Sequence, residues 1–143
     1  TQTNQYRQSK GLSLLKIDPQ LQAAAESRAR DMAKTGAFSH SIATTTTNIA
    51  WHTFIKNSGY RYDRAGENLA TLFDNPSDTM RAWQNSPLHN ENLVNKDYEH
   101  IGVAIVPSVY QGRNTSFIVQ MFGKKQPDPK AGTKAPVKKK PWP

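Results

Sequence analysis

The sequence contains no cysteine. That excludes a disulfide scaffold, a thiolate metal site and any thiol-based redox cycle. It leaves the compartment open. No apolar run approaches the ~18–20 residues needed to span a bilayer, which predicts a soluble protein without a transmembrane segment. No serine sits in a G-x-S-x-G elbow, so a conventional nucleophile is not evident. The first residues, TQTNQYRQ, lack a charged n-region and an apolar h-region, as expected of a processed secreted protein or equally of a trimmed chain. Apolar residues are also scarce, at 36% of 143, with a mean hydropathy of −0.75.

That last shortfall is local. Lys124 to Pro143 reads KKQPDPKAGTKAPVKKKPWP, with seven lysines, one aspartate and five of the nine prolines. Such a segment buries too little apolar surface to offset its ordering entropy and is expected to be a disordered basic tail. It carries +6 of the formal +8 charge, whereas residues 1–123 hold twelve Lys/Arg against ten Asp/Glu. Residues 1–123 therefore form one domain with one expected core, and 124–143 a separate Lys/Pro-rich tail.

Within the domain, KIDPQLQAAAESRARDMAKTGAF is the clearest helix, with Asp18 as N-cap, Pro19 in the first turn and Gly36 at its end. Leu21, Ala24, Ala25, Arg28, Ala29 and Met32 share one stripe, so Arg28 interrupts it or reaches inward to a partner. SHSIATTTT reads as loop. A second helix follows in NIAWHTFIKNSGY, capped by Asn48, with Trp51, Phe54 and Ile55 inward and Gly59 at its end. Asn75-Pro76 opens a third helix through about Asn85, with Met80 and Trp83 inward, and Ser86-Pro87 starts a short fourth with His89 in its first turn. HIGVAIVPS and TSFIVQMFG read as a hairpin around Gly112, with a third strand near Tyr60–Tyr62 or Glu67–Thr71. Helices mostly precede strands, which predicts an α+β fold with helices packed on an antiparallel sheet.

Of four histidines, His52 and His100 read as structural or solvent-facing. His40 and His89 lie at element boundaries beside small or polar residues, where a cavity can open. Glu67 is a lone acid in AGENLA. The three are 22 to 27 positions apart, so spacing alone leaves two readings open. They can converge on a divalent ion such as Zn²⁺ with an open position, or form a metal-free histidine–carboxylate network.

Four stretches together add more: GLSLLKIDPQLQAAAESRARDMAKTGAFSH, GENLA, AWQNSPLHNENLVNKDYEHIGVA and FIVQMFG. In this order they resemble the CAP superfamily (SCP/pathogenesis-related-1-like), especially its secreted bacterial branch, over about residues 4–123. The resemblance implies a three-layer α-β-α sandwich with a small antiparallel sheet and a central cleft. It places His40, Glu67 and His89 in that cleft as cofactor-binding residues, with His40 and His89 as metal ligands. The family's fourth acid falls at Ser86 here, so the tetrad is incomplete and Zn²⁺ binding is expected to be weaker or absent.

The implied function is a secreted, monomeric module binding a small-molecule ligand or cofactor, with haem or a divalent metal such as Zn²⁺ as candidates. An extracellular antioxidant role is a further expectation. Without cysteine it requires a bound redox cofactor or sacrificial oxidation of Met32, Met80, Met121 and the eight Trp and Tyr residues. The alternatives are a metal-assisted hydrolase using His40, Glu67 and His89, or a surface-binding module acting through the tail. Lysines of Lys124–Pro143 attract anionic surfaces, but without interleaved aromatics they predict no sequence-specific nucleic-acid recognition.

Overall fold

Asp18 starts the longest helix as its sequence predicts. Its Oδ1 accepts from the backbone N–H of Gln20 (2.8 Å) and Leu21 (3.1 Å), Pro19 occupies the first turn, and Gly36 closes the last at φ 72°. In the computed structural model, which describes residues 1–36 and 50–128, this helix is the third of nine elements among those residues. In chain order they are α1 (Gln2–Ser9), β1 (Lys16–Ile17), α2 (Pro19–Thr35), α3 (Trp51–Asn57), β2 (Tyr62–Ala70), α4 (Pro76–Gln84), α5 (Pro87–Leu93), β3 (His100–Tyr110) and β4 (Arg113–Lys125).

The strands form one sheet in the order β1-β3-β4-β2, antiparallel except where the two residues of β1 run parallel to β3. β3 and β4 are the expected hairpin, turning through Gln111 and Gly112, both at positive φ. Side chains alternate across the pleat and build two cores. On one face Leu69, Ala104, Phe117, Val119 and Met121 pack against Leu21, Ala25 and Met32 of α2 and Ile55 of α3. On the other, Ala70, Ile101 and Phe122 pack with Met80, Trp83 and Leu93. The result is the α-β-α sandwich, with α2 and α3 on one face and α1, α4 and α5 on the other.

Two elements lack an apolar sequence signal. α1 is held by polar contacts: Thr1 caps it, and Tyr6 Oη donates to Asn90 Oδ1 at 2.7 Å. The guanidinium of Arg7, fully buried, donates to the carbonyls of Ser13, Leu93 and Asn95 at 2.8–3.0 Å. β1 is only two residues long. At the outer edge of β3, the Gln22 amide takes the place of a strand, accepting from Val103 N–H (2.9 Å) and donating to Val103 C=O (2.6 Å). Pro107 follows four residues along that edge.

β4 runs through Lys124 and Lys125, two residues into the segment read as tail, where they pair with Arg64 and Tyr62. The expected cap Asn48, the loop SHSIATTTT and the tail from residue 129 lie outside the described residues.

Asp18 also reaches Lys125 Nζ at 3.3 Å. Burial alone would raise its carboxyl pKa, but the N–H groups of Leu21 and Gln20 and the Lys125 ammonium outweigh that and hold it below its ordinary value. A depressed folded pKa gives stability that is present above the unfolded value and lost as pH falls through the folded one. Asp18→Ala should therefore cost about 1 kcal/mol in urea unfolding at pH 7. The gap from wild type should narrow as pH drops below about 4.

Candidate functional site

Gly66-Glu67-Asn68 lies in β2, the strand at the opposite edge of the sheet from β1, and its three residues serve three layers. A Cβ at Gly66 would collide with Tyr98 Oη and Asn92 Oδ1, so only glycine admits α5 and the following loop this close to the sheet. Glu67 points to the α2 face, where Oε2 receives Arg28 Nε at 2.8 Å and Oε1 receives Nη2 at 3.4 Å; both side chains are fully buried. Arg28 also lies 5.7 Å from the Phe54 ring centroid. Arg28 is thus the inward-reaching partner that its place on the apolar stripe suggests.

Asn68 points to the other face. Its amide donates to the His89 carbonyl (3.2 Å) and to Gln120 Oε1 (3.3 Å), while its Oδ1 accepts from Asn92 Nδ2 at 2.9 Å. Asn92 also donates to the Glu67 carbonyl at 3.0 Å, and Gln120 donates to Thr3 Oγ1 at 2.8 Å. Asn92 therefore cross-links α5 to β2, and Asn90 links it to α1 through Tyr6.

His89 occupies the first turn of α5 as expected, and its Nδ1 is 2.8 Å from Ser86 Oγ. Ser86 is the N-cap residue by position, but its hydroxyl serves His89 and makes no cap bond. The described contacts take the two candidate side chains to different partners, Glu67 to Arg28 and His89 to Ser86. The Arg28 guanidinium, 2.8 Å from one oxygen of Glu67 and 3.4 Å from the other, sets a positive charge against this carboxylate. His40 lies outside the described residues, as does its pairing with His89. Among the described residues, no group of three or more His, Asp or Glu side chains is placed to hold a metal. His100 is structural in this fold, its Nδ1 2.8 Å from Tyr60 Oη, and His52 packs edge-on to Trp51.

A concavity lies on the α4 face. It is a groove of about 480 Å³, walled by Met80 and Trp83 of α4, Ile101, Val103 and Ile105 of β3 and Ile118 of β4. The start of α1 closes one side, and Thr3 and Gln120 put the Asn68 network into its wall. Trp83 is fixed there by Nε1–H donation to the Leu69 carbonyl at 2.9 Å. The alternating apolar residues of the hairpin signal such a face, but the groove needs α1 to wall it, and α1 has no apolar period. No helix among the described residues is long and apolar enough to cross a membrane.

This architecture recurs in known proteins. An extracellular protein of Bacillus anthracis containing an SCP domain superposes with a TM-score of 0.72 at 28% identity, covering 86% of this chain and 38% of that one. An outer surface protein of Borrelia burgdorferi, at 24% identity, shares the fold with a TM-score of 0.75, covering 87% and 88% of the two chains. The uncharacterized protein YkwD of Bacillus subtilis is 36% identical over 106 residues, which are 74% of this chain and 40% of that protein. The chain thus spans well under half the length of the B. subtilis and B. anthracis proteins. The model of the cysteine-rich secretory protein family matches residues 1–122, so this cysteine-free chain belongs to the CAP family.

Proposed function

We propose that this protein is an extracellular binding module that takes a small, elongated apolar molecule in the groove between α1, α4 and the sheet. The groove itself carries this reading. Its volume falls in the ~300–1,000 Å³ range of small-ligand sites, and an apolar wall with a few fixed polar groups is what such sites share. Thr3 and Gln120 supply the polar groups, held by hydrogen bonds to Asn68 and to each other. The extracellular and outer-surface relatives support the location. A cofactor, metal or haem held by His40 and His89 remains part of this proposal, and an antioxidant role would rest on such a cofactor or on sacrificial oxidation of Met, Trp and Tyr side chains.

The test is titration with the neutral fluorophore N-phenyl-1-naphthylamine. Bound in the groove, it should brighten and quench Trp83, saturating at one probe per chain. Ile118→Trp, which fills the groove, and Ile105→Glu, at its exposed rim, should each weaken binding by about tenfold, equivalent to ~1.4 kcal/mol. Unchanged affinity in both variants would overturn the reading.

A further inference from the structure

The end of the sheet where β2 begins holds a second cavity with different chemistry. It measures about 410 Å³ and is lined by Lys56 at the end of α3, Gly59 to Tyr62 and Gln126. Gln126 organises it. Its backbone N–H donates to the Arg61 carbonyl at 2.9 Å, its amide nitrogen to the Tyr62 carbonyl at 3.1 Å, and its Oε1 accepts from Arg61 Nη2 at 3.3 Å. The guanidinium is thereby held at the cavity by a neutral amide. Of the neighbouring cations, Lys125 pairs with Asp18 and Arg64 with Asp97. Among the described residues Lys56 and Arg61 have no acidic partner, although Asp63 is exposed on the same strand. The described chain ends just beyond this wall, at Asp128, and residues 129–143 add five lysines and no acid.

We propose that this cavity is a docking site for a linear phosphate-bearing polyol chain, independent of the apolar groove. The planar fork of Arg61 and the point charge of Lys56 suit a phosphate, and the Gln126 amide and Tyr62 suit the hydroxyls between phosphates. Nucleic acid fits less well, because the cavity offers no row of exposed aromatic rings on which successive bases stack. A bilayer also fits less well, since among the described residues none of the exposed large apolar side chains (Leu14, Ile17, Phe73, Leu88, Ile105 and Val109) lines this cavity.

The probe is a glycerol-phosphate oligomer of about ten units, added at low salt to the full chain and followed by amide NMR shifts. Expected are saturating shifts at Lys56, Gly59, Arg61, Tyr62 and Gln126, with affinity falling steeply as salt rises. The exposed double substitution K56A/R61A should leave the melting temperature unchanged, weaken binding by about tenfold and flatten the salt dependence by the two lost contacts. A companion variant with the five lysines of 129–143 changed to glutamine should still shift the cavity amides. The proposal is overturned if that variant abolishes binding while K56A/R61A binds as wild type. It is equally overturned if a decameric oligonucleotide, or vesicles with 30% phosphatidylglycerol, binds at least tenfold more tightly than the oligomer.

Discussion

Glu67→Ala should lower the unfolding free energy by about 3–5 kcal/mol, a large share of the margin available to a domain of this size. The carboxylate and the Arg28 guanidinium are both fully buried and joined at 2.8 Å. Removing one leaves the other charge desolvated without its counter-charge, and that penalty exceeds what the pair contributed when intact. The same desolvation cost requires a second result. Arg28→Met combined with Glu67→Leu removes both charges and keeps most of the volume beside Phe54 and opposite Met121, so the double variant should recover most of the loss. Urea unfolding of wild type, Arg28→Met, Glu67→Leu and the double variant closes the cycle. A Glu67→Ala loss below about 1 kcal/mol would show that the ion pair does not hold α2 to β2.

Gly102→Ala should cost about 3 kcal/mol, at the upper end for overpacking a core. A Cβ at this position would collide with the carbonyl group of Leu21 and the backbone nitrogen of Gln22, at the start of α2. Backbone cannot rotate aside as a side chain can. That turn is further pinned by the Asp18 cap and by the Gln22 bridge to Val103. Relief would require moving α2 off β3 and opening the face packed by Leu21, Ala25 and Ala104. Gly11→Ala is the control: it faces open space but sits at φ 74°, so it should cost only about 1 kcal/mol. Equal melting temperatures for the two variants would remove close packing as the cause.

Much of the fold was legible because its signals are apolar and periodic, or are caps. Asp18-Pro19, Asn75-Pro76 and Ser86-Pro87 each begin a helix where the residues indicate. Ile101, Val103 and Ile105 alternate toward one face of the sheet, as their spacing requires. α1 has no such signal because Tyr6 and Arg7 anchor it through a hydroxyl and a guanidinium, and polar anchors have no period. The GENLA motif marks a strand whose contacts are not written in the motif itself. Nothing local to Glu67 indicates that its partner is Arg28, 39 residues earlier. The same holds for Asn68, whose contacts with Asn92 and Gln120 exist only once β2, α5 and β4 are assembled. The family resemblance supplied the architecture, whereas the groove depends on an element the motifs do not include.

The Gln22 amide has a consequence for how this protein meets its own copies. A β-sheet whose last strand ends in unsatisfied N–H and C=O groups invites another molecule to continue the ladder, the first step toward fibrils. Here the donor and acceptor of Val103 are already taken by a side chain from the same molecule. Farther along that margin Pro107 has no N–H to give, so an incoming strand would find the Val103 rung capped and the Pro107 donor missing. Ile105 and Val109 can thus stay exposed beside a margin that gives aggregation little purchase.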